Sequence, residues 1–521
     1  MRVAVKTFSQ LKWSTTQRDL LFLLLFSAIL KTTMALLMPV INHDGPLYIA
    51  AAQKIASGSL KEGIRSFHMP FYPLLIVFAH YIVHNWVVAA HLVSLLTSVF
   101  TIIPLYLLTR DFFSRESAVG ACLAFTLIPL SNHLSVEVIK DPSFLFFFAW
   151  AVYFAQRAIH SKKLIYFFLA SLFSLFSILF RLEGIIIFVA YVPFLLFLVW
   201  RTSEHRIPLL KGMVVYLGFP MLIVGVSLLI LGAGWSSAIR FGAVTQMVQD
   251  FMNLKFLSNY MAIYKQLEVF ETTLPQKGGV QNFAEIARHY LFIVYLVGIL
   301  ESLTKAIFPL YLILLVWGLW ASRKRGSAFV LVLAVCYFLM LYYVHVKMGS
   351  IRERFLLSLV FLLCPWIGVG FEQLFSFIKR SPRRILLTTV CLLFLGFLPI
   401  YKSVEIVWKQ DDVFVRAGKW IEKIPELEGA GLITNDRRIS FYAGRGGGFY
   451  PTVGYDDAYM ERLALRTHSA LLAIKRSKRK KKQPHQFAVF TEVKEFVGKK
   501  NIVEIYCSPE LKKAVDRIGG H

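Results

Sequence analysis

The sequence predicts an α-helical, multi-pass membrane protein with about eleven transmembrane helices, short interfacial helices in its first outer loop and a small soluble α/β domain at its C-terminus. Three observations carry this reading. Of 521 residues, 57% are hydrophobic and 17% charged, and the mean hydropathy of +0.60 lies well above that of a soluble globular chain. The apolar residues gather into runs of about 20, the length a helix needs to cross the hydrocarbon core. From Asp411 onward charged residues and glycines become frequent, and the long apolar runs stop.

Composition also excludes classes. The five cysteines, Cys122, Cys336, Cys364, Cys391 and Cys507, are scattered without a CxxC pair or a His/Cys cluster, so neither a zinc site nor a disulfide framework is indicated. The formal charge of +26 would suit nucleic acid, but the basic residues fall mostly in short connections between apolar runs, which is how membrane topology is written. No nucleic-acid partner is expected.

The expected spans are 20–41, 86–108, 117–134, 143–159, 164–180, 184–200, 212–233, 304–321, 328–346, 355–374 and 385–401. Two shorter apolar pieces, 71–84 and 289–301, read as interfacial or dipping segments. Alternate connections hold 19 and 8 Lys or Arg, which places the N-terminus in the cytoplasm. Asp44, the loop 234–303 and everything from residue 402 then face outward. The first run has about 22 residues and no clear cleavage site before Asn42, so it reads as a retained helix rather than a signal peptide. Lys31, near its middle, either snorkels to an interface or faces a polar cavity.

Two units follow: a membrane domain over 1–401, with its first outer loop at 42–85, and an extracytoplasmic domain over 402–521. In the second, "FVRAGKWIEKI" has helical spacing, while "GLITN", "FAVF" and "IVEIYCS" read as strands. "GRGGG" at 444–448 lacks the strand and Lys-Ser/Thr of a phosphate-binding loop and reads as a turn. "KRSKRKKK" at 475–482 is a solvated loop or a patch for anionic headgroups or glycans.

Four polar groups fall at expected outer turns. In "INHDGPLYIAAAQKIASGSL", Asp44 precedes Gly45 and Pro46 at the start of an amphipathic helix over 45–57, with Tyr48, Ala51, Ala52 and Ile55 on one face. There it can cap the helix, act chemically, or do both. In "SVEVIKDP", Asp141 before Pro142 reads as another cap, and Glu137 is free to bind a sugar hydroxyl, a metal ion or Lys140. "FRLEG" brings Arg181 and Glu183, and "HVKMGSIRERF" brings Lys347, Arg352 and Arg354. Interface anchoring explains either group in part. Carboxylates beside guanidinium groups at headgroup depth also suit transfer from a phosphate-linked lipid. The cations hold the departing phosphate, and a carboxylate takes the proton of the attacking hydroxyl.

These motifs, with "HMPFYPLLI" after the first loop, "RERFLLSLVFLLCPW" before a late span and "LITNDRRISFYAGR" in the tail, occur in an order that resembles the GT-C glycosyltransferases of family 39 type. That group includes dolichyl-phosphate-mannose protein mannosyltransferases, aminoarabinose transferases and Rgt-type galacturonosyltransferases. The resemblance implies a GT-C fold, a polyprenyl-phosphate-sugar donor and a lipid, polysaccharide or protein acceptor. It implies Asp44 as catalytic base, Arg181 with Arg352 or Arg354, and Lys347, as ligands of the lipid phosphate, and Tyr48, His68, Glu137, Asp141 and Glu183 lining the cavity. Many relatives carry two adjacent acids where this chain has Asp44 and Gly45, so a metal pair is not indicated there, and the resemblance names no certain cofactor. The location it implies is a bacterial inner membrane. A polymerase or ligase of lipid-linked glycans, and a transporter or flippase using the same arginines without chemistry, are the alternatives; the clear inverted repeats that would favour transport are not seen.

Overall fold

The computed structural model describes residues 14–67, 69–231, 249–250, 252–253, 255–273, 279–322, 328–424, 431–445, 457–478 and 487–516. The protein is a multi-pass membrane protein. Among the described residues, seven helices are long and apolar enough to cross a bilayer, or up to nine if two sharply bent pairs each count as one span. The expected eleven is therefore not reached. Leu164–Phe180 and Pro309–Ala321 have 17 and 13 residues, short of about 20. Phe71–Val83 is likewise a short apolar helix, and all but the first two residues of the piece at 289–301 lie in Leu291–Ile307, bent by 82° from Gly279–His289.

The first span runs Thr15–Leu36, earlier than expected, because Ser14 and Gln17 form a reciprocal capping box at its start. The bent pair Arg115–Leu127 and Pro129–Val136 turns by 58° at Ile128. Pro129 has no N–H to continue the ladder and disfavours helical geometry in the residue before it, and Ile128 is extended with ψ 123°. The turn carries the chain into the loop 137–140, which enters the site.

Leu357–Arg380 is the most enclosed helix, packed between Arg115–Leu127 and Pro309–Ala321. Small residues bring these backbones together: a Cβ on Gly318 would overlap the Trp366 carbonyl, and one on Gly368 the Ser117 carbonyl. Gly318→Ala should therefore destabilise the protein by about 1–3 kcal/mol. Gly218→Ala, with nothing within 4 Å of the new methyl, should leave the unfolding temperature in detergent unchanged or raised. Equal stability of the two variants would refute this packing.

Lys31 does not snorkel. Its side chain is fully buried, with Nζ 3.1 Å from Asn132 Oδ1 and 3.4 Å from Ser131 Oγ, and Asn132 in turn donates to Ser403. The lysine thus ties the first span to the broken span and to Leu398–Trp408.

The C-terminal domain has a four-stranded sheet of order β1-β2-β4-β3, with β1 Leu432–Thr434, β2 Leu471–Ser477, β3 Thr491–Val497 and β4 Asn501–Cys507. β1 pairs parallel with β2, and the other pairs are antiparallel. "FAVF" is not a strand: β3 begins just after it, and its Phe490 packs with Ile474 and Tyr506. β2 escapes the sequence reading because its apolar half runs directly into the basic stretch. Within that stretch residues 479–482, and within "GRGGG" residues 446–448, lie outside the described residues.

The two units are joined at the exit of the first span. Val40 belongs to the apolar core of the C-terminal domain, with Val413, Phe414 and Ile439. The Ile41 N–H donates to the Tyr442 hydroxyl at 3.0 Å. Asp44 therefore starts from an anchored strand of chain.

Candidate active site

A cavity of about 470 Å³ opens where the first loop meets the turns after the broken span, after Leu164–Phe180 and before Leu357–Arg380. Its polar lining is Asp44, Tyr48, Lys140, Arg181, Glu183 and Arg354. Four chain segments far apart in sequence thus meet at one place.

Gly45 explains how the first and second loops approach. A Cβ there would lie 2.9 Å from Asn42 Oδ1 and 3.3 Å from Val138 Cβ, tighter than ordinary contact. A second acid at this position would push the 137–140 loop away. Pro46 then starts the helix Gly45–Ala56 in its first turn, where its missing N–H costs nothing.

Neither expected cap forms. Asp44 makes no side-chain bond to the helix start; its Oδ2 accepts instead from Arg354 Nη1 at 3.3 Å. Asp141 is the first residue of its helix rather than the cap, and its carboxylate pairs with the Arg181 guanidinium. In both cases an arginine from a distant turn takes the carboxylate, because it adds the attraction of a full opposite charge to the hydrogen bond that a backbone N–H would give. Uncapped, Asp44 keeps its oxygens toward the cavity.

Arg181 is 6% exposed, and its charge is met twice: by Asp141, and by Glu183 at 2.7 Å. Its guanidinium carbon also lies 4.6 Å from the Phe355 ring centre and 5.7 Å from that of Phe144. A buried cation requires such partners. Among the described residues Arg354 has one ion-pair partner, Asp44, and its buried Nε has no hydrogen-bond partner; its guanidinium carbon lies 5.6 Å from the Phe355 ring centre.

Lys140 was legible in the sequence only as a partner for Glu137. The structure separates them: Glu137 pairs with His133 at 3.2 Å, and burial pushes its carboxyl up. Lys140 lines the cavity with Nζ 2.9 Å from Met69 Sδ and 5.5 Å from the Phe67 ring centre. Among the described residues no carboxylate lies within ion-pair distance of it. Burial, aided by nearby Arg181, brings its pKa down to about 8.

Other expected site residues fall elsewhere. Lys347 pairs with Asp250 at 2.9 Å, Arg352 is exposed, and neither lines the cavity; Asp141 and Glu137 stand behind its wall rather than in it. His68 lies outside the described residues. Among the described residues no group of three or more His, Cys, Asp or Glu side chains is arranged to hold a metal ion.

The opposite wall is apolar. Met340, Val344 and Met348 stand at i, i+4 and i+8 on one face of Ala328–Met348, leading from the polar groups along a membrane helix.

Over its length the chain superposes on the ArnT of Cupriavidus metallidurans bound to undecaprenyl phosphate, with 13% identity, 93% of this chain and 97% of that one covered, and a TM-score of 0.52. The fold is that of the GT-C glycosyltransferases. The same GT-C architecture is similar to the Archaeoglobus fulgidus oligosaccharyltransferase AglB in complex with an inhibitory peptide and a dolichol-phosphate (12% identity, 88% and 69% covered, TM-score 0.50). It is similar also to the Archaeoglobus fulgidus oligosaccharyltransferase in complex with Zn and sulfate (14% identity, 87% and 68% covered, TM-score 0.56). Residues 67–225 of this chain match the family described as dolichyl-phosphate-mannose-protein mannosyltransferase. That segment includes Lys140, Arg181 and Glu183. Sequence comparison with curated proteins finds no match.

Proposed function

We propose that the protein is a membrane glycosyltransferase that moves a monosaccharide from a polyprenyl-phosphate donor to a lipid, polysaccharide or protein hydroxyl on the outer face of a bacterial inner membrane. One observation carries this reading: a single cavity joins two carboxylates and three cations to an apolar wall. An amphiphile with an anionic head and a long hydrocarbon tail matches both halves. The bound polyprenyl phosphates of two proteins with this fold support it.

In the proposed step Asp44 accepts the proton of the acceptor hydroxyl, whose oxygen attacks the anomeric carbon. The bond from that carbon to the phosphate oxygen breaks, polyprenyl phosphate leaves with the bonding pair, and the anomeric configuration inverts. Lys140 and Arg354 hold the departing phosphate. Arg181, already met by two carboxylates, orients the site by fixing Glu183 and its turn at the cavity. Of the two arginines in "RERF", Arg354 is assigned to the phosphate, since it alone reaches the cavity. Asp44 is the one acid of the first loop in the cavity lining, so a divalent ion beside it would take further ligands from Glu183 or from the substrates.

The decisive experiment supplies the purified protein with a donor labelled in its lipid. Release of free polyprenyl phosphate, dependent on acceptor, supports transfer. Donor bound and moved across vesicles without cleavage would instead establish a transporter.

Lys140 gives the reading a pH signature. Below pH 8 the ammonium is charged and pairs with phosphate; above it the amine is neutral and that attraction is lost. Since kcat/KM reports the free enzyme, kcat/KM for donor should fall as pH rises through about 8. Lys140→Gln should be low at pH 7 and lack this step; a variant that retains the wild-type profile would remove Lys140 from the site.

A further inference from the structure

Leu357–Arg380 begins beside the cavity and ends a helix of 24 residues away, about 36 Å along its axis. At that far end the chain turns through Ser381, Pro382 and Arg383 into Arg384–Cys391. The elbow encloses a second cavity of about 350 Å³, lined by Ile378, Lys379, Arg384, Ile385, Thr388 and Thr389. Four of the six residues 379–384 are cationic.

What distinguishes this cluster is its lack of counter-charge. Other cations on the same face have found carboxylates: Arg115 pairs with Asp19, and Arg157 with Asp111. The nearest acid on the helix, Glu372, accepts from Ser114 and Ser117. Among the described residues no carboxylate lies within ion-pair distance of Lys379, Arg380, Arg383 or Arg384. Above the cavity, Arg384–Cys391 and the π-helical turn Leu392–Phe397 bury no residue. Ile385 is 78% exposed and Leu392 67%, presenting hydrocarbon beside the cations.

We propose that this elbow binds an anionic phospholipid, its phosphate between Lys379 and Arg384 and its acyl chains along the apolar face of Arg384–Phe397. Basic pockets between transmembrane helices on the cytoplasmic side suit anionic headgroups, and each cation near them contributes attraction. Arginine matches phosphate with its planar fork, and lysine adds a point charge. The site is independent of the transfer chemistry and lies at the opposite membrane surface from it. It serves the one helix that also positions Arg354, so the bound lipid holds that helix at its free end.

Native mass spectrometry of the full-length protein, with phosphatidylglycerol and phosphatidylcholine as probe lipids, tests this. Wild type should retain phosphatidylglycerol selectively. Lys379→Gln/Arg384→Gln should weaken that retention by roughly thirtyfold, while Arg380→Gln/Arg383→Gln, which removes equal charge outside the cavity lining, should keep most of it. Equal loss in the two double variants would reduce the effect to diffuse surface charge and overturn the site. So would equal retention of the two lipids by wild type. Displacement of phosphatidylglycerol by millimolar inorganic phosphate would assign the cavity to free phosphate instead and refute the lipid. Circular dichroism of each variant shows that it is folded.

Discussion

Asp44→Asn lowers sugar transfer by roughly 10² to 10⁴-fold, the range expected when a general base is removed, while donor binding and fold are retained. The substitution is nearly isosteric. The Asp44 side chain makes no helix-capping bond, so the helix Gly45–Ala56 loses nothing at its start. The contact to Arg354, between side chains 38% and 25% exposed, contributes at most about 1 kcal/mol. A structural role would therefore predict a near-normal rate. Transfer of labelled sugar by purified variant and wild type, with donor affinity measured on the same samples, separates these outcomes. Wild-type turnover in Asp44→Asn would eliminate it as the base.

Arg181→Met destabilises the protein by about 3–5 kcal/mol, the cost of leaving a buried charge without its partner. Two carboxylates depend on this guanidinium: Asp141, 3% exposed, and Glu183, 22% exposed. Its removal leaves them facing each other in a poorly solvated turn. Because the cost lies in the orphaned acids, the triple variant Arg181→Met/Asp141→Leu/Glu183→Met should recover most of the loss in thermal unfolding. It should still transfer sugar poorly, since Glu183 and the guanidinium that fixes its turn at the cavity are gone. If Arg181→Met alone unfolds at the wild-type temperature, the buried triad is not a stabilising element. If the triple variant transfers normally, Arg181 has no part in the chemistry.

Much of the membrane domain is legible because the bilayer imposes a simple demand: every backbone polar group must be satisfied within the span, so long apolar runs become helices. Boundaries and number were less legible. The Ser14–Gln17 box starts the first helix five residues before its apolar run, and Pro129 divides one run into two helices. Of the site, Asp44, Tyr48, Arg181, Glu183 and Arg354 were marked by charge or aromaticity at loop positions. Lys347 and Arg352 carried the same marks yet face elsewhere, since charge at a loop says nothing of direction. Lys140 was masked by Glu137 at a helical spacing of three, which suggests a local pair that the extended backbone at Glu137, with ψ 152°, does not permit.

The sequence by itself determined the membrane class, the order of polar turns, the α/β character of the tail and, through its motifs, the resemblance to GT-C enzymes. Each depends on local composition or on periodicity along one segment. Only the tertiary structure decided that Asp44 meets Arg354 across 310 residues instead of capping its helix, that Arg181 is neutralised from two sides, and that Lys140 has no carboxylate within ion-pair distance among the described residues. Such choices turn on which distant group arrives first within hydrogen-bond reach. In a medium of low dielectric constant that competition is settled by charge and distance in three dimensions, and spacing along the chain records neither.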